Sequence, residues 1–194
     1  MAPGKKNAQK LNCHLVFLDE SGLLMAPHLR RTWAPIGETP ILYQRTRSRE
    51  KVSMIAAITI SPQRQRLGLY FSLLPNENVT MENLIPFLRQ LRVHLPRGFL
   101  LLWDRLASHK GIDRRLFRER SGKIQAEFFP PYAPELNPVE GVWAYLKMNP
   151  LANLAPHDAI ELSRRARSST QKIQGDQGLL RSFLHRTGLF FSSQ

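Results

Sequence analysis

The apolar positions of this chain fall into blocks whose spacing switches between strand-like and helix-like. Cys13–Leu18 is a compact apolar run and predicts a buried strand. Ser21-Gly22 follows as a turn signal, and Leu23–Ala26 is expected to return as a second strand. Val52–Ile60 is dense in β-branched residues, and Leu67–Leu73 comes after the turn signal Ser61-Pro62, so the two predict a hairpin. Leu84, Ile85, Leu88, Leu91 and Leu95 recur at helical spacing behind Thr80, which predicts a capped helix from Thr80 to Leu95 ended by Pro96 and Gly98. Phe99–Trp103 is apolar throughout, as a central strand covered on both faces would be. Ser108–Arg120 predicts a polar, basic helix stopped by Ser121-Gly122, and Ile124–Phe129 another strand. Asn137–Met148 reads as a helix with Val139, Val142, Trp143 and Leu146 on its buried stripe. Beyond Pro150, amphipathic helices are expected near Pro156–Ser169 and Gly178–Thr187.

Hairpin-linked strands that give way to alternating helices and strands predict an α/β domain with a mixed sheet. Residues 1–11 have no apolar periodicity and read as a basic linker, leaving 12–194 as one domain of ordinary size.

Charge changes the picture most. With 28 Lys+Arg against 15 Asp+Glu, the formal net charge is +13, which calls for a polyanionic partner. Arg dominates that excess, and its planar fork suits phosphate oxygens. Arg30, Arg31, Arg45, Arg47 and Arg49 form one candidate set of DNA contacts, and Arg164, Arg165 and Arg167 a second. Arg105, His109 and Lys147, beside the acidic motifs, complete it. Cys13 is the only cysteine, so neither a disulfide framework nor a thiolate zinc site can be built, which favours a reducing, intracellular setting. No apolar run approaches the roughly 20 residues of a membrane span.

Three short stretches carry the candidate chemistry. Phe17-Leu18-Asp19-Glu20-Ser21-Gly22 and Leu101-Leu102-Trp103-Asp104 each place an aspartate at the end of an apolar run, and Tyr132–Glu140 puts a glutamate in the first turn of a helix. Two strand-end aspartates repel unless a cation lies between them, and hard oxygen ligands favour Mg²⁺ or Mn²⁺. Glu140 has a competing role in a capping box, with Asn137 as N-cap, Pro138 first and Glu140 third; position alone leaves the two roles balanced. Glu20 would point to the opposite side of its strand from Asp19, and Trp33 and Trp143 read as core residues.

These segments resemble the DDE transposases, specifically the mariner-like superfamily and its bacterial insertion-sequence branch. Phe17–Gly22, Arg31–Pro40, Leu102–His109 and Pro131–Lys147 match that pattern, as do the 35 residues between Asp104 and Glu140. The resemblance spans roughly residues 11–150. It implies a ribonuclease-H-like fold, a mixed five-stranded sheet flanked by helices, with Asp19, Asp104 and Glu140 as catalytic, metal-binding triad. It further implies two Mg²⁺ or Mn²⁺ ions per site, cleavage of transposon-end DNA with strand transfer into target DNA, and a homodimeric synaptic complex. Arg105-Leu106 after the second aspartate fits the bacterial branch, and so a cytoplasmic, nucleoid-associated protein. The helix-turn-helix modules that precede the catalytic domain in this family are absent from the chain, which predicts one half of a split transposase, its DNA-binding half separately encoded, or a truncated copy. The competing readings are a catalytically inactive DNA-binding remnant and a host nuclease on the same fold.

Overall fold

The first apolar run becomes the central strand of a five-stranded sheet. In the computed structural model, residues 12–26, 28–41, 50–104 and 124–188 are described. Strand β1 spans His14–Leu24, β2 Lys51–Ile60 and β3 Leu67–Pro75; helix α1 (Met81–His94) then leads to β4 (Phe99–Trp103) and β5 (Ile124–Phe128). Helices α2 (Val139–Met148), α3 (Ala159–Gly175) and α4 (Gln177–Arg186) follow. The strand order is β3-β2-β1-β4-β5, antiparallel from β3 to β1 and parallel from β1 through β4 to β5. This is the mixed sheet expected. The predicted linker and the predicted helix over Ser108–Arg120 lie outside the described residues.

One expectation fails. Ser21-Gly22 is not a turn, and Leu23–Ala26 is not a separate strand. β1 runs through both, pairing with β2 from Leu15 opposite Ile60 to Leu24 opposite Lys51. Continuous ladder hydrogen bonding to β2 outweighs the local turn preference of Ser-Gly, a tertiary override of propensity. The β2–β3 hairpin forms as predicted, and the Ser61 hydroxyl closes its turn by accepting from the backbone N–H groups of Gln65 and Arg66 at 3.2 and 3.1 Å.

Strand alternation divides β1 between two cores. Leu15 and Phe17 face α2, α3 and α4, meeting Val142, Leu146, Leu162, Ala166 and Phe183. Val16 and Leu18 face α1, meeting Leu84, Leu88 and Leu91. Asp19 continues the odd-numbered side and so points toward the α2 layer. α1 is capped at Thr80, whose backbone N–H donates to Asn83 Oδ1 at 3.0 Å. Asp158 and Asp176 cap α3 and α4, accepting from Glu161 N–H at 2.7 Å and Leu179 N–H at 2.9 Å. Among the described residues no helix is long and apolar enough to cross a membrane.

Candidate active site

The sheet brings the two aspartates together by register. Phe17 pairs with Leu102 across the parallel β1–β4 ladder, and Asp19 and Asp104 each lie two residues further along the chain. β4 stops at Trp103, so Asp104 leads out of the sheet there. Asp19 is not at a strand end as expected: it lies inside the eleven-residue β1. It borders a cleft because its parallel neighbour is shorter, and the carboxyl end of such a strand is where α/β sheets gather ligands.

Glu140 arrives from α2. That helix begins at Val139, so Glu140 is its second residue rather than its third. The N-cap position falls on Pro138 rather than on Asn137 as expected, although Asn137 Oδ1 still accepts from the Val139 N–H at 3.2 Å. The reciprocal half of a capping box is taken by other groups, because the Asn137 N–H donates to the Pro134 carbonyl at 2.9 Å. Glu140 is exposed.

A cavity of about 540 Å³ is lined by Asp19, Asp104 and Glu140 together with Asn137 and the Phe129–Pro134 loop. Asp19 is mostly buried in it, and its pKa is pushed from 3.8 up to about 7. Burial is the main cause; the charges of Glu140 and Asp104 add to it, and the Trp143 hydrogen bond and the Glu20 backbone N–H oppose it. The three carboxylates therefore share one electrostatic environment. Like charges repel, and among the described residues no three His, Cys, Asp or Glu side chains approach closely enough to form a ready-made metal cage. Their chemistry nonetheless fits a hard divalent cation: oxygen donors only, with an excess of negative charge that raises a carboxylate pKa.

The structure adds contacts that the sequence reading missed. Trp143, read as a core residue, is buried but also donates its indole Nε1–H to Asp19 Oδ2 at 2.8 Å. Lys147 donates to the Ser21 hydroxyl at 2.9 Å. Both could be sought in the spacing: Glu140, Trp143 and Lys147 share one helical face, and Asp19 and Ser21 share one strand face. Tyr132, on the cavity loop, is fully exposed at 101% with a backbone φ of +58°, a conformation disfavoured for a bulky side chain.

The basic candidates divide. Arg164, Arg165 and Arg167 are exposed on α3; Arg165 lies 4.0 Å from Glu161, and the Arg167 guanidinium sits over the Phe71 ring at 6.0 Å. Arg31 is exposed. Arg30 has a structural task, donating to the Met148 carbonyl at 2.5 Å and Asn149 Oδ1 at 2.6 Å at the end of α2. Arg45, Arg47, Arg49, Arg105 and His109 lie outside the described residues.

Acidic side chains around a cleft at the end of a mixed sheet, in a strongly basic chain, define a nuclease-type architecture. Residues 14–163 match the family described as DDE superfamily endonuclease, and the chain belongs to that family. No curated protein matches it. Among solved structures the fold is similar to the Mos1 transposase paired-end complex with left transposon end, with a TM-score of 0.63 and 18% identity over 94% of this chain and 57% of that one. It is similar also to the Mos1 mariner paired-end complex with Mn (TM-score 0.61, 17% identity, 97% of this chain and 63% of that one). A third is the Mos1 strand transfer complex (TM-score 0.62, 17% identity, 94% and 54%). The likeness is one of fold, the ribonuclease-H-like sheet and its helices, and this chain spans 54–63% of the length of those chains.

Proposed function

We propose that this chain is the catalytic domain of a DDE-type transposase of bacterial insertion-sequence type, cleaving DNA at transposon ends and joining the freed strand to target DNA. The observation that carries the reading is the meeting of Asp19, Asp104 and Glu140 on one cavity in a chain of net charge +13. Asp19, Asp104 and Glu140 would hold Mg²⁺ or Mn²⁺, two ions per site. Such ions lower the pKa of an attacking water or 3′-hydroxyl and stabilise the leaving oxygen of an in-line displacement. The similar Mos1 paired-end complex with Mn favours that choice of metal.

The chain's own groups supply the rest. Lys147, held to Ser21 two residues beyond Asp19 on β1, is a candidate phosphate contact. Arg31, Arg164, Arg165 and Arg167 extend the positive surface along the DNA, with Arg30, Arg45, Arg47, Arg49, Arg105 and His109 as further candidates. Tyr132 offers a free ring at the cavity rim on which a nucleobase can stack. Trp33, expected in the core, is instead 99% exposed, and with Ile36 at 106% on the segment after β1 it forms an apolar surface suited to a second copy, in keeping with a homodimeric complex. A helix-turn-helix module would supply end recognition. A cytoplasmic, nucleoid-associated setting goes with this reading.

The test is metal-dependent nicking of labelled transposon-end duplex. Asp19→Asn, Asp104→Asn and Glu140→Gln should each abolish cleavage while DNA binding is kept or tightened. Wild-type protein that binds DNA yet never nicks it with Mg²⁺ or Mn²⁺ would instead be an inactive remnant, and preference for an RNA–DNA hybrid would indicate a host nuclease.

A further inference from the structure

We propose that Trp143 is a positioning residue for the Asp19 carboxylate, its indole N–H fixing which oxygen lone pairs of Asp19 face the cavity. The inference rests on the metal-binding reading of the triad. Trp143 is 3% exposed and packs with the α2 stripe and α3–α4 residues of the core. A phenylalanine would suffice for packing alone. The indole nitrogen is a donor only, and here it is spent on Asp19 Oδ2 at 2.8 Å, a charge-assisted bond when the carboxylate is ionised.

Position on the helix strengthens the case. Trp143 lies three residues after Glu140, so one rigid turn presents the glutamate to the cavity and the indole to Asp19. Contacts on either side keep that turn from sliding along β1. Asn137 Nδ2 donates to the Leu18 carbonyl at 3.1 Å, and Lys147 donates to the Ser21 hydroxyl at 2.9 Å. Side chains 137, 143 and 147 thus engage β1 at residues 18, 19 and 21 in order. With the indole holding Oδ2 and the Glu20 backbone N–H also directed at the carboxylate, the carboxyl plane is fixed and its remaining lone pairs are left for a cation. Partners that orient metal-binding carboxylates in this way typically contribute 10- to 100-fold to metal affinity.

Mn²⁺ titration by calorimetry, on the full chain, tests this with three variants beside the wild type. Trp143→Phe removes the donor and some volume. Replacement of Trp143 by β-(3-benzothienyl)alanine keeps the ring shape and removes only the N–H. Asp19→Asn removes the proposed ligand. The expected result is a loss of about tenfold or more in Mn²⁺ affinity for both Trp143 variants and near-complete loss for Asp19→Asn, with the benzothienyl protein still unfolding in one cooperative transition. Cleavage by the benzothienyl protein should then need about tenfold more metal for half-maximal rate and approach the wild-type rate at saturation. Unchanged Mn²⁺ affinity in that protein, with Asp19→Asn still defective, would show Trp143 to be packing only and overturn the inference while leaving the triad intact. Unchanged affinity in Asp19→Asn would remove the triad reading itself, and this inference with it.

Discussion

Asn137 Nδ2 donates to the backbone carbonyl of Leu18 at 3.1 Å, joining the start of the glutamate helix to the residue before the first aspartate. The same amide accepts from the Val139 N–H at 3.2 Å through Oδ1, and the side chain is 5% exposed. One buried amide therefore binds the first N–H of α2 and fastens the helix to β1. Asn137→Ala should cost about 2–3 kcal/mol in denaturant unfolding, because it strands buried partners on both sides. Asn137→Asp should be worse at pH 7. It keeps the acceptor for Val139 but turns a carboxylate oxygen toward the Leu18 carbonyl and adds a charge beside Asp19. Equal stability of the two variants would dissociate the amide's donor side from the docking of the helix.

Asp19 should make the metal-free protein less stable as pH rises. Its pKa in the fold is about 7 against an ordinary value of 3.8, so the folded state binds the extra proton between those limits. The stability this proton provides is fully present below about pH 4 and is lost as pH rises through about 7. At about 1.4 kcal/mol for each tenfold change in proton affinity, the ceiling is about 4 kcal/mol. Unfolding of wild type and Asp19→Asn, compared from pH 4 to pH 8, should show the asparagine variant gaining relative stability across that window. Added Mn²⁺ at pH 8 should narrow the difference. A pH-independent difference would contradict the burial of an ionising Asp19.

Gly141 tests the packing beneath Glu140. A Cβ there would meet the Phe183 side chain of α4, its Cβ included, at 2.8–3.0 Å. Helix propensity alone favours Ala over Gly by about 1 kcal/mol. The clash should reverse the sign, so that Gly141→Ala destabilises by about 1–3 kcal/mol, and Gly141→Ala combined with Phe183→Leu should recover part of the loss. A more stable single variant would mean that α2 and α4 are not held this close.

DNA binding should be dominated by phosphate contacts. About six neutralised phosphates would weaken binding about a thousandfold between roughly 50 and 200 mM salt. Replacing Arg164, Arg165 and Arg167 together by alanine should reduce the slope of log affinity against log salt by about 2–3, with little dependence on DNA sequence. An unchanged slope would remove the α3 face from the interface.

Tyr132 should separate binding from stability. Its loss as Tyr132→Gly should relieve the positive φ and raise stability by about 1 kcal/mol, while weakening DNA binding by about 1–3 kcal/mol if the ring stacks on a base. Tyr132→Phe should bind as wild type does. Fluorescence of 2-aminopurine placed along the transposon end would show which base the ring covers.

The chain's local chemistry determined most of the architecture. Apolar period and β-branching marked β2, β3, β4 and α1, because those elements bury one face or both and their side-chain spacing has to match the backbone's. Charge called for a polyanion, and the motifs around Asp19, Asp104 and Glu140 named the family through resemblance. Tertiary structure decided the rest. Ser21-Gly22 reads as a turn until β2 offers it a full ladder, since pairing energy belongs to a partner strand thirty residues away and leaves no local trace. Asp19 looked like a strand end, but its place beside the cleft comes from β4 stopping early on a neighbouring register. Glu140 could have been a cap or a ligand; the Asn137 N–H took the Pro134 carbonyl and left the carboxylate free of the cap. Trp143 looked like core and is core, yet where its single N–H points depends on which residue of β1 lies across from it. That juxtaposition comes from sheet register and helix docking, and no window of sequence contains both residues.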